Sequence, residues 1–254
     1  MPIFKKKDIT ECDNYRGISL LCPSEKIFAS VLQQRIKART EEIMSEAQTC
    51  FRSGRSTIDQ LYTLQSMTEK YLEHGTDLYV CYIDFRKAFD SMWREGLWKV
   101  MRFYGYLEKI VRLLENLYQE TFSTVRVDSC LTDWFCTLIG VFQGCILSQI
   151  LSNILLEMVI VRAVEGVEYL GAVISSYTVS NLRFSDDIAT LVKSNNGLQT
   201  MVSNIHRAGS RMGLHINAVK TETQCFSKQK QVIRLSIGNV AGRKLYISRR
   251  EADK

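Results

Sequence analysis

The feature that most constrains the fold of this sequence is a pair of apolar segments that each contain acidic residues. Leu78–Phe85 (LYVCYIDF) is a continuous apolar, β-branched and aromatic run of strand length whose only charged residue is Asp84. Leu182–Val192 (LRFSDDIATLV) has apolar flanks around Asp186 and Asp187, which predicts two short strands joined by an acidic turn. An ionised carboxylate in an apolar strand is costly unless it is paired or bound to a cation. The two segments therefore predict a site that needs positive charge.

Two such elements lying side by side would place three carboxylates together, and like charges that close cannot all stay ionised without a compensating cation. A hard divalent ion with oxygen ligands, Mg²⁺ or Mn²⁺, is the natural partner. Two such ions about 3.5–4 Å apart stabilise the attacking and leaving oxygens of an in-line phosphoryl displacement, which is the chemistry of polymerases and nucleases. The alternative is that Asp186 and Asp187 form an ordinary solvated β-turn, because Asp is a favoured turn residue.

Composition and periodicity predict a folded α+β protein. The 254 residues are 46% hydrophobic and 24% charged, and two prolines without a Gly/Ser-rich stretch leave no obvious linker, so one continuous unit is the simplest organisation. Strands and helices interleave without strict βαβ alternation, which favours a largely antiparallel sheet. Helices are predicted at Ile27–Ile36, at Leu61–Tyr71 after a capping box of Thr57 and Gln60, at Leu97–Tyr104, at Ile110–Tyr118, from Ser148 onward, and at Leu198–Ile205 with Gly213 as C-cap. A strand pair is predicted between Thr124–Val127 and Phe135–Ile139.

Charge and cysteine usage limit the classes of partner and compartment. The formal net charge is +6, with basic ends around an acidic middle, which suits a polyanion held near a carboxylate site; solvated surface charge is the alternative. The eight cysteines have no C-x-x-C spacing and the three histidines complete no zinc-ligand spacing, so reduced thiols in the nucleus or cytoplasm are expected. The start lacks a signal peptide's apolar region, and the most apolar segment, Ile154–Val161, is interrupted by Glu157. An intracellular, non-secreted protein with no membrane partner is therefore expected.

Six motifs follow one another along nearly the whole chain. They are KKKD with NYRGISLL (Asn14–Leu21), QTCFRSGRSTIDQ (Gln48–Gln60), YIDFRKAFDSM (Tyr82–Met92), GVFQGCILSQILSN (Gly140–Asn153), FSDD (Phe184–Asp187) and GLHINAVKTE (Gly213–Glu222). In this order they resemble the two fingers motifs and motifs A, B, C and D of reverse transcriptases of non-LTR (LINE-type) retrotransposons. The resemblance implies right-hand polymerase fingers and palm, with an antiparallel palm sheet packed on helices and a thumb that is missing or rudimentary. It implies one reverse transcriptase domain over residues 1–254: a fingers-like segment at 1–77, a palm with interspersed fingers elements at 78–227, and a truncated approach to the thumb at 228–254.

The resemblance also implies the roles of the acidic residues. Asp84 and Asp186 would bind two divalent ions, Mg²⁺ or Mn²⁺, with Asp187 beside them and the Phe85 carbonyl as an extra oxygen ligand. Lys220 matches the motif D lysine that acts as general acid for pyrophosphate, and the alternative is an exposed lysine after a strand. The ligand set inferred from the apolar strands agrees with this assignment.

Further positions match residues that bind the nucleotide and the template. Phe89, five residues after Asp84, matches the bulky residue that excludes a ribose 2′-OH, and an ordinary core aromatic is the alternative. Arg52 and Arg55 match template-binding positions. The nucleotide-binding positions implied by the resemblance are Lys6, Arg16, Phe89, Gln143, Gly144 and Asn153; for Lys6 the alternative is a solvated lysine run.

The sequence departs from the family pattern at five positions, where the family usually has Gly, Arg, Pro, Phe and Ala: Cys50, Phe142, Gln149, Ser152 and Ser185. Phe142 removes a cation from the nucleotide site, and Cys50 places a Cβ where a glycine backbone is expected. Two functions stay open. One is an RNA-directed DNA polymerase domain acting on an RNA template, a DNA primer and deoxynucleotides; the other is a catalytically inactive retrotransposon-derived remnant that at most binds nucleic acid. A group II intron-type maturase would need a further maturase domain, and the sequence predicts no oligomeric state.

Overall fold

The structure is a computed structural model that describes residues 1–5, 8–127, 130–174, 176–229, 233, 235–237, 240–241, 243–244 and 247–248. Its α-helices are α1 (Pro23–Ile43), α2 (Thr57–Glu73), α3 (Ala88–Ser91), α4 (Arg94–Phe103), α5 (Glu108–Tyr118), α6 (Ile146–Val164) and α7 (Asn195–Ser210). Short 3₁₀ turns occupy Cys12–Asn14 and Glu168–Leu170. Its strands are β1 (Pro2–Phe4), β2 (Tyr15–Gly17), β3 (Leu78–Ile83), β4 (Thr121–Ser123), β5 (Arg126–Val127), β6 (Cys130–Leu131), β7 (Phe135–Thr137), β8 (Ala172–Ile174), β9 (Tyr177–Val179), β10 (Asn181–Phe184), β11 (Asp187–Val192), β12 (Glu222–Ser227), β13 (Ser236–Ile237), β14 (Val240–Ala241), β15 (Arg243–Lys244) and β16 (Ile247–Ser248). The mixture of helices with mainly antiparallel strands confirms the predicted α+β class.

The chain forms two compact units. Unit 1 consists of Met1–Ile43 with Lys87–Ile154, and unit 2 consists of Met44–Arg86 with Leu155–Lys254. Each unit is therefore built from two separate stretches of chain, and the helix α6 begins in unit 1 and ends in unit 2.

Unit 2 contains the main sheet, whose central strands run in the order β10, β11, β3, β12 with every neighbouring pair antiparallel. Beyond them β12 pairs in parallel with β15 and β16. The apolar run that predicted a strand is β3, and all of its residues except Tyr82 are buried. The segment around the two aspartates forms the hairpin β10–β11, as predicted.

The helix α2 covers one face of this sheet. Met67 and Tyr71 from α2 lie in a buried cluster with Val80, Leu182 and Leu191 of three neighbouring strands. Burial of each apolar side chain of this size stabilises the folded state by roughly 1.5–3 kcal/mol relative to exposure. The periodic apolar residues of α2 therefore explain why the helix lies on the sheet.

The start of α2 differs from the prediction by one residue. The N-cap is Ser56, whose backbone N–H donates to Asp59 Oδ2 at 2.7 Å in a capping box. The predicted pair of Thr57 and Gln60 is therefore wrong. The Gln60 side chain instead donates from Nε2 to the Ala47 carbonyl at 2.9 Å.

Unit 1 is built on α1, α4 and α5, with α5 packed against both of the others. Leu32 and Ile36 are buried on α1, whereas Ile27 and Val31, which share its predicted apolar face, are exposed. The helices α1, α4 and α5 confirm three predicted segments.

The strands of unit 1 pair differently from the prediction. β4 pairs with β7, and β5 pairs with β6, all antiparallel. The predicted pairing of Thr124–Val127 with Phe135–Ile139 is wrong, because Phe135–Thr137 pairs with the earlier strand Thr121–Ser123. Thr121 and Thr137 reinforce the actual pair through side-chain hydroxyls 2.9 Å apart.

The helix α6 is long and apolar enough to cross a bilayer by length and composition, but 78% of its most apolar window is buried inside the protein. Its single acidic residue, Glu157, is buried and binds Arg183. Both observations are typical of a core helix.

The end of α7 also differs from the prediction: the C-cap is Arg211, and Gly213, at φ +81°, lies in the turn that follows.

Candidate active site

Asp84 lies directly after the last residue of β3. Its carbonyl accepts the Asn217 N–H at 2.8 Å, and its own N–H lies 3.5 Å from Thr221 Oγ1. These backbone contacts define where the chain leaves the sheet. The carboxylate is half-buried, and Lys220 Nζ lies 3.5 Å from Oδ1 and 3.4 Å from Oδ2.

Asp186 and Asp187 lie at the tip of the β10–β11 hairpin. Phe184 and Asp187 form its last pair, so Ser185 and Asp186 make a two-residue turn. Ser185 has φ +59°, a left-handed conformation that a residue with a Cβ rarely adopts. The predicted acidic turn is therefore confirmed.

The three aspartates interact through their charges. Ile188 lies opposite Ile83 in the β11–β3 pair, so one further step of the register brings Asp187 opposite Asp84. Burial raises the pKa of the Asp187 carboxyl, and the negative charges of Asp186 and Asp84 raise that pKa further. A bound cation would relieve this repulsion on the Asp187 carboxylate.

The donor set suits a hard divalent cation. In the part of the chain that the structure describes, Asp84 Oδ2 is buried and accepts no hydrogen bond, although Lys220 Nζ lies 3.4 Å away. Carboxylate oxygens are the ligands that Mg²⁺ prefers, and uncompensated negative charge favours its binding. Within the described ranges, no three Asp, Glu, His or Cys side chains are placed to ligate one ion together. The residues thus fit such an ion in chemistry and charge.

An apolar crevice of about 380 Å³ opens beside these carboxylates within unit 2. Side chains from α2 form one wall and side chains from the sheet form the other. Its lining includes Leu61, Leu64, Tyr82, Leu182, Phe184 and Ala189, together with Asp84, Asp187 and Lys220.

The segment that precedes α2 lies along the outer edge of β10. Gln48 forms a parallel bridge with Arg183, the Thr49 N–H donates to the Arg183 carbonyl at 3.1 Å, and the Arg183 N–H donates to the Ala47 carbonyl at 2.8 Å. Gln48 also contacts the acidic turn, because its amide binds both backbone polar atoms of Ser185. The buried residues Gln48, Thr49 and Cys50 of this segment therefore support the hairpin.

A buried ion pair connects β10 to α6. Arg183 Nη2 lies 3.0 Å from Glu157 Oε2, and the two side chains are 1% and 3% exposed. The same Glu157 oxygen accepts the Ser45 N–H at 3.3 Å. Since Arg183 precedes Asp186 by three residues, this pair fixes the strand that carries the acidic turn.

Unit 1 contains the loop of the fourth motif. The Val141 N–H donates to the Phe89 carbonyl at 2.7 Å, and the Gly140 N–H donates to the Met92 carbonyl at 2.8 Å. A Cβ on Gly140 would lie 2.5 Å from the Asp90 carbonyl oxygen, and its φ is +77°, so only glycine fits. Phe89, half-buried, is thereby tied to this loop by main-chain hydrogen bonds.

The other predicted nucleotide-binding positions also fall in unit 1. The Gln143 carbonyl accepts the Ser19 N–H at 2.7 Å, and Gly144 has φ +107°, which requires glycine. Asn153 is buried in α6, whereas Arg16 is exposed on β2. Lys6 lies outside the described residues.

Phe142, at a position where the resemblance implies Arg, stacks on Tyr118 with ring centroids 5.1 Å apart and an interplanar angle of 20°. On the same ring lies the guanidinium of Arg94, 5.2 Å from the centroid. Arg94 is buried and donates to the carbonyls of Gly140, Tyr118 and Thr137 at 2.7–2.8 Å. Phe142 is therefore part of a packed aromatic contact.

Cys50 needs no glycine conformation. Among the described residues of this segment the positive φ values fall on Phe51 (+61°) and Gly54 (+73°). The expectation that the Cβ of Cys50 stands where a glycine backbone is needed is therefore wrong in its conformational part. Burial raises the pKa of the Cys50 thiol to about 11, so the thiol stays neutral.

The two arginines predicted to bind the template differ in exposure. The Arg52 side chain is 6% exposed and donates to the carbonyls of Ser45 and Gln48 at 2.7 and 3.1 Å. Arg55 is more exposed and pairs with Glu46. Arg52 thus stabilises its own segment, and Arg55 is the better placed of the two to reach a phosphate.

The structure brings Asp84, Asp186, Asp187 and Lys220 together at one end of the unit 2 sheet. The sequence patterns did not predict that Gln48 contacts the acidic turn or that two buried charges pair. For that pair a signal was present, because Glu157 interrupts an apolar helix and Arg183 interrupts an apolar strand.

Comparison with solved structures supports the fold. Telomerase from Candida tropicalis in complex with a fragment of telomeric RNA has a TM-score of 0.59 and 15% identity, covering 83% of this chain and 36% of the telomerase chain. Apo telomerase from the same organism, truncated from its C-terminal domain, has a TM-score of 0.59 and 14% identity, covering 84% and 43%. This likeness confirms the predicted polymerase fold.

Curated relatives come from non-LTR retrotransposons. The RNA-directed DNA polymerase from the mobile element jockey of Drosophila funebris is 26% identical over 231 residues, which are 87% of this chain and 24% of the relative. The Pol polyprotein from the type-2 retrotransposable element R2DM of Drosophila melanogaster is 27% identical over 155 residues, which are 61% and 14%. The chain spans between 12% and 30% of the length of the curated relatives it matches. Residues 4–238 match the family described as reverse transcriptase (RNA-dependent DNA polymerase). Members of this family generally use divalent metal ions. The chain therefore belongs to the reverse transcriptase family, which confirms the resemblance inferred from its motifs.

Proposed function

We propose that this chain is an RNA-directed DNA polymerase domain that adds deoxynucleotides to a DNA primer 3′-OH on an RNA template. The observation that carries the proposal is the set of three aspartates at adjoining strand ends, where Asp187 has a raised pKa and Asp84 Oδ2 accepts no hydrogen bond from any described residue. Family membership supplies the reaction class. The relatives named above support the choice of template and product.

In this proposal Asp84 and Asp186 bind two divalent ions, Mg²⁺ or Mn²⁺, with Asp187 beside them and the Phe85 carbonyl as a further oxygen. Bound ions of this kind neutralise the triphosphate and lower the pKa of the attacking hydroxyl. Asp187, whose carboxyl pKa is raised by burial and by the charges of Asp186 and Asp84, adds negative charge beside these two ligands.

Lys220 supplies the proton for the leaving group. Its Nζ lies within 3.5 Å of Asp84, and its side chain is 61% exposed, so it can turn from the carboxylate toward pyrophosphate. Donating a proton to the leaving oxygen lowers the barrier to bond cleavage.

The residues of unit 1 handle the nucleotide. Phe89 excludes a ribose 2′-OH, the Gln143 amide and the Gly144 backbone hold the nucleotide against the template, and Lys6 and Arg16 bind the triphosphate. Asn153, buried in α6, is the remaining nucleotide-binding position that the resemblance implies.

A primer-extension assay on a homopolymeric RNA template, with Mg²⁺ and with Mn²⁺, tests the proposal. The parent should extend the primer, and Asp186→Asn should abolish extension while leaving the melting temperature equal or higher, because it removes one of three repelling charges. Asp133→Asn, an exposed aspartate in unit 1, is the matched control and should extend like the parent. Undiminished extension by Asp186→Asn would overturn the assignment.

A second candidate is a catalytically inactive remnant that binds nucleic acid. It is favoured by the Phe142–Tyr118 stack, which leaves an aromatic ring where the family has a cation. The two functions differ in one result: the remnant would bind an RNA–DNA duplex in a salt-dependent manner and extend no primer with either ion.

A further inference from the structure

Gln48 is a fully buried polar residue whose hydrogen bonds converge on the acidic turn. Its side-chain Oε1 accepts the Ser185 N–H at 3.2 Å, and its Nε2 donates to the Ser185 carbonyl at 3.2 Å. The same Oε1 accepts the Cys50 N–H at 3.1 Å, which fixes the orientation of the amide. One side chain thus binds both backbone polar atoms of the residue that precedes Asp186.

The residue it binds is in a strained conformation. Ser185 has φ +59°, and residues with a Cβ keep such a conformation only where the surrounding structure determines it. A hairpin tip exposed to water would relax toward other turn types, and each relaxation would change the direction of the Asp186 side chain.

The backbone of Gln48 is itself fixed. It forms a parallel bridge with Arg183, and hydrogen bonds from the residues on either side reach the same strand residue. The fixed backbone therefore holds the Gln48 side-chain amide next to Ser185, which is the property that a supporting residue needs.

We propose that Gln48 is a positioning residue, which binds both polar backbone atoms of Ser185 and so sets the direction in which the Asp186 carboxylate leaves the turn. The inference rests on the proposed function, since the direction of this carboxylate matters for binding a divalent ion. Supporting residues of this kind typically change metal affinity or activity by about 10- to 100-fold when they are replaced.

Three variants test the proposal. Gln48→Met keeps the length of the side chain and removes its three hydrogen bonds. Gln48→Glu keeps the shape but, when ionised, cannot donate to the Ser185 carbonyl. Thr49→Val is the matched control, because it is equally buried in the same segment and its hydroxyl contacts Arg183 and not the turn.

The first measurement is amide hydrogen exchange of the peptide that contains Ser185, which needs neither ion nor substrate. Exchange in Gln48→Met should be roughly 5- to 10-fold faster than in the parent, as expected for the loss of about one hydrogen bond's net stability. Thr49→Val should exchange like the parent. Equal exchange in Gln48→Met and the parent would overturn the contact itself.

The second measurement separates positioning from stability. In Gln48→Met, kcat for primer extension should fall about 10- to 100-fold with little change in the KM for deoxynucleotide. The affinity for Mn²⁺, measured by electron paramagnetic resonance, should fall about tenfold. In Gln48→Glu the deficit should shrink as the pH is lowered, because a protonated carboxyl can again both accept and donate. Faster exchange with unchanged kcat and Mn²⁺ affinity would overturn the positioning role.

The two proposals fail differently. A parent protein that binds no Mn²⁺ and extends no primer refutes the polymerase function, whereas the exchange measurement still decides whether Gln48 fixes the turn. A parent that is active, with Gln48 variants equal to it in kcat and pH profile, refutes only the role of Gln48.

Discussion

Replacing Glu157 tests how strongly the buried ion pair supports the strand that carries the acidic turn. The two charges lie 3.0 Å apart and are almost fully buried, and at an effective dielectric constant of ~20 their attraction is on the order of 5 kcal/mol. Glu157→Gln keeps the shape of the side chain and removes the carboxylate that lies beside the buried Arg183 guanidinium. Breaking such a pair typically costs about 3–5 kcal/mol of the free energy of unfolding, a large share of a domain's total of roughly 5–15 kcal/mol.

Urea denaturation followed by circular dichroism gives the measurement. The control is Glu165→Gln, which breaks an exposed ion pair in which Glu165 Oε2 lies 3.1 Å from Arg162 Nη1. This variant should lose less than about 1 kcal/mol of the free energy of unfolding. The double variant Glu157→Leu with Arg183→Met should recover most of the loss, because an apolar pair avoids the desolvation of both charges. A loss below about 1 kcal/mol in Glu157→Gln, or a double variant less stable than it, would refute the reasoning.

Three further predictions concern the surface and unit 1. Hydrogen bonds from Arg102 and Arg112 lower the pKa of Glu108 to about 2, so Glu108→Gln should lower the melting temperature at neutral pH. The difference in melting temperature between variant and parent should vanish as the pH falls from about 4.3, the pKa in the unfolded chain, toward the pKa in the folded protein. A difference in melting temperature that is independent of pH would contradict this prediction. Binding of an RNA–DNA duplex, followed by fluorescence anisotropy, should weaken steeply with salt and survive Asp186→Asn, because it rests on Lys and Arg contacts to phosphates; salt-independent affinity is the contrary result. Phe142→Arg should lower the melting temperature without lowering the nucleotide KM, because it replaces a ring stacked on Tyr118; a lower KM at equal stability would show that the side chain faces the nucleotide.

The strands of the acidic site could be predicted from sequence because their signals are local. Apolar runs of strand length flank Asp84 and the Asp186–Asp187 turn, and only a paired or cation-bound carboxylate is tolerated in such a run. The pairing in unit 1 could not be predicted in the same way. Several short segments of similar composition compete there, and the choice of Thr121–Ser123 as the partner of Phe135–Thr137 depends on tertiary contacts.

The role of Gln48 lies outside what local patterns can show. Its segment has the composition of an exposed turn, yet the side chain is buried and binds Ser185. Because Ser185 is 137 residues away in the chain, no local pattern indicates this contact. The capping box of α2 shows the same limit on a smaller scale, since two overlapping pairs of residues fit the motif and only the backbone geometry selects Ser56 with Asp59.

The main-chain hydrogen bond that connects Phe89 to Val141 has a consequence for sugar selection in the proposed enzyme. It uses backbone atoms alone, so it can form whichever side chain stands at position 89. Discrimination between ribose and deoxyribose then becomes a matter of side-chain volume at one site. Acceptance of ribonucleotides would be a trait that a single smaller residue at 89 can confer, without any rearrangement of the loop that surrounds it.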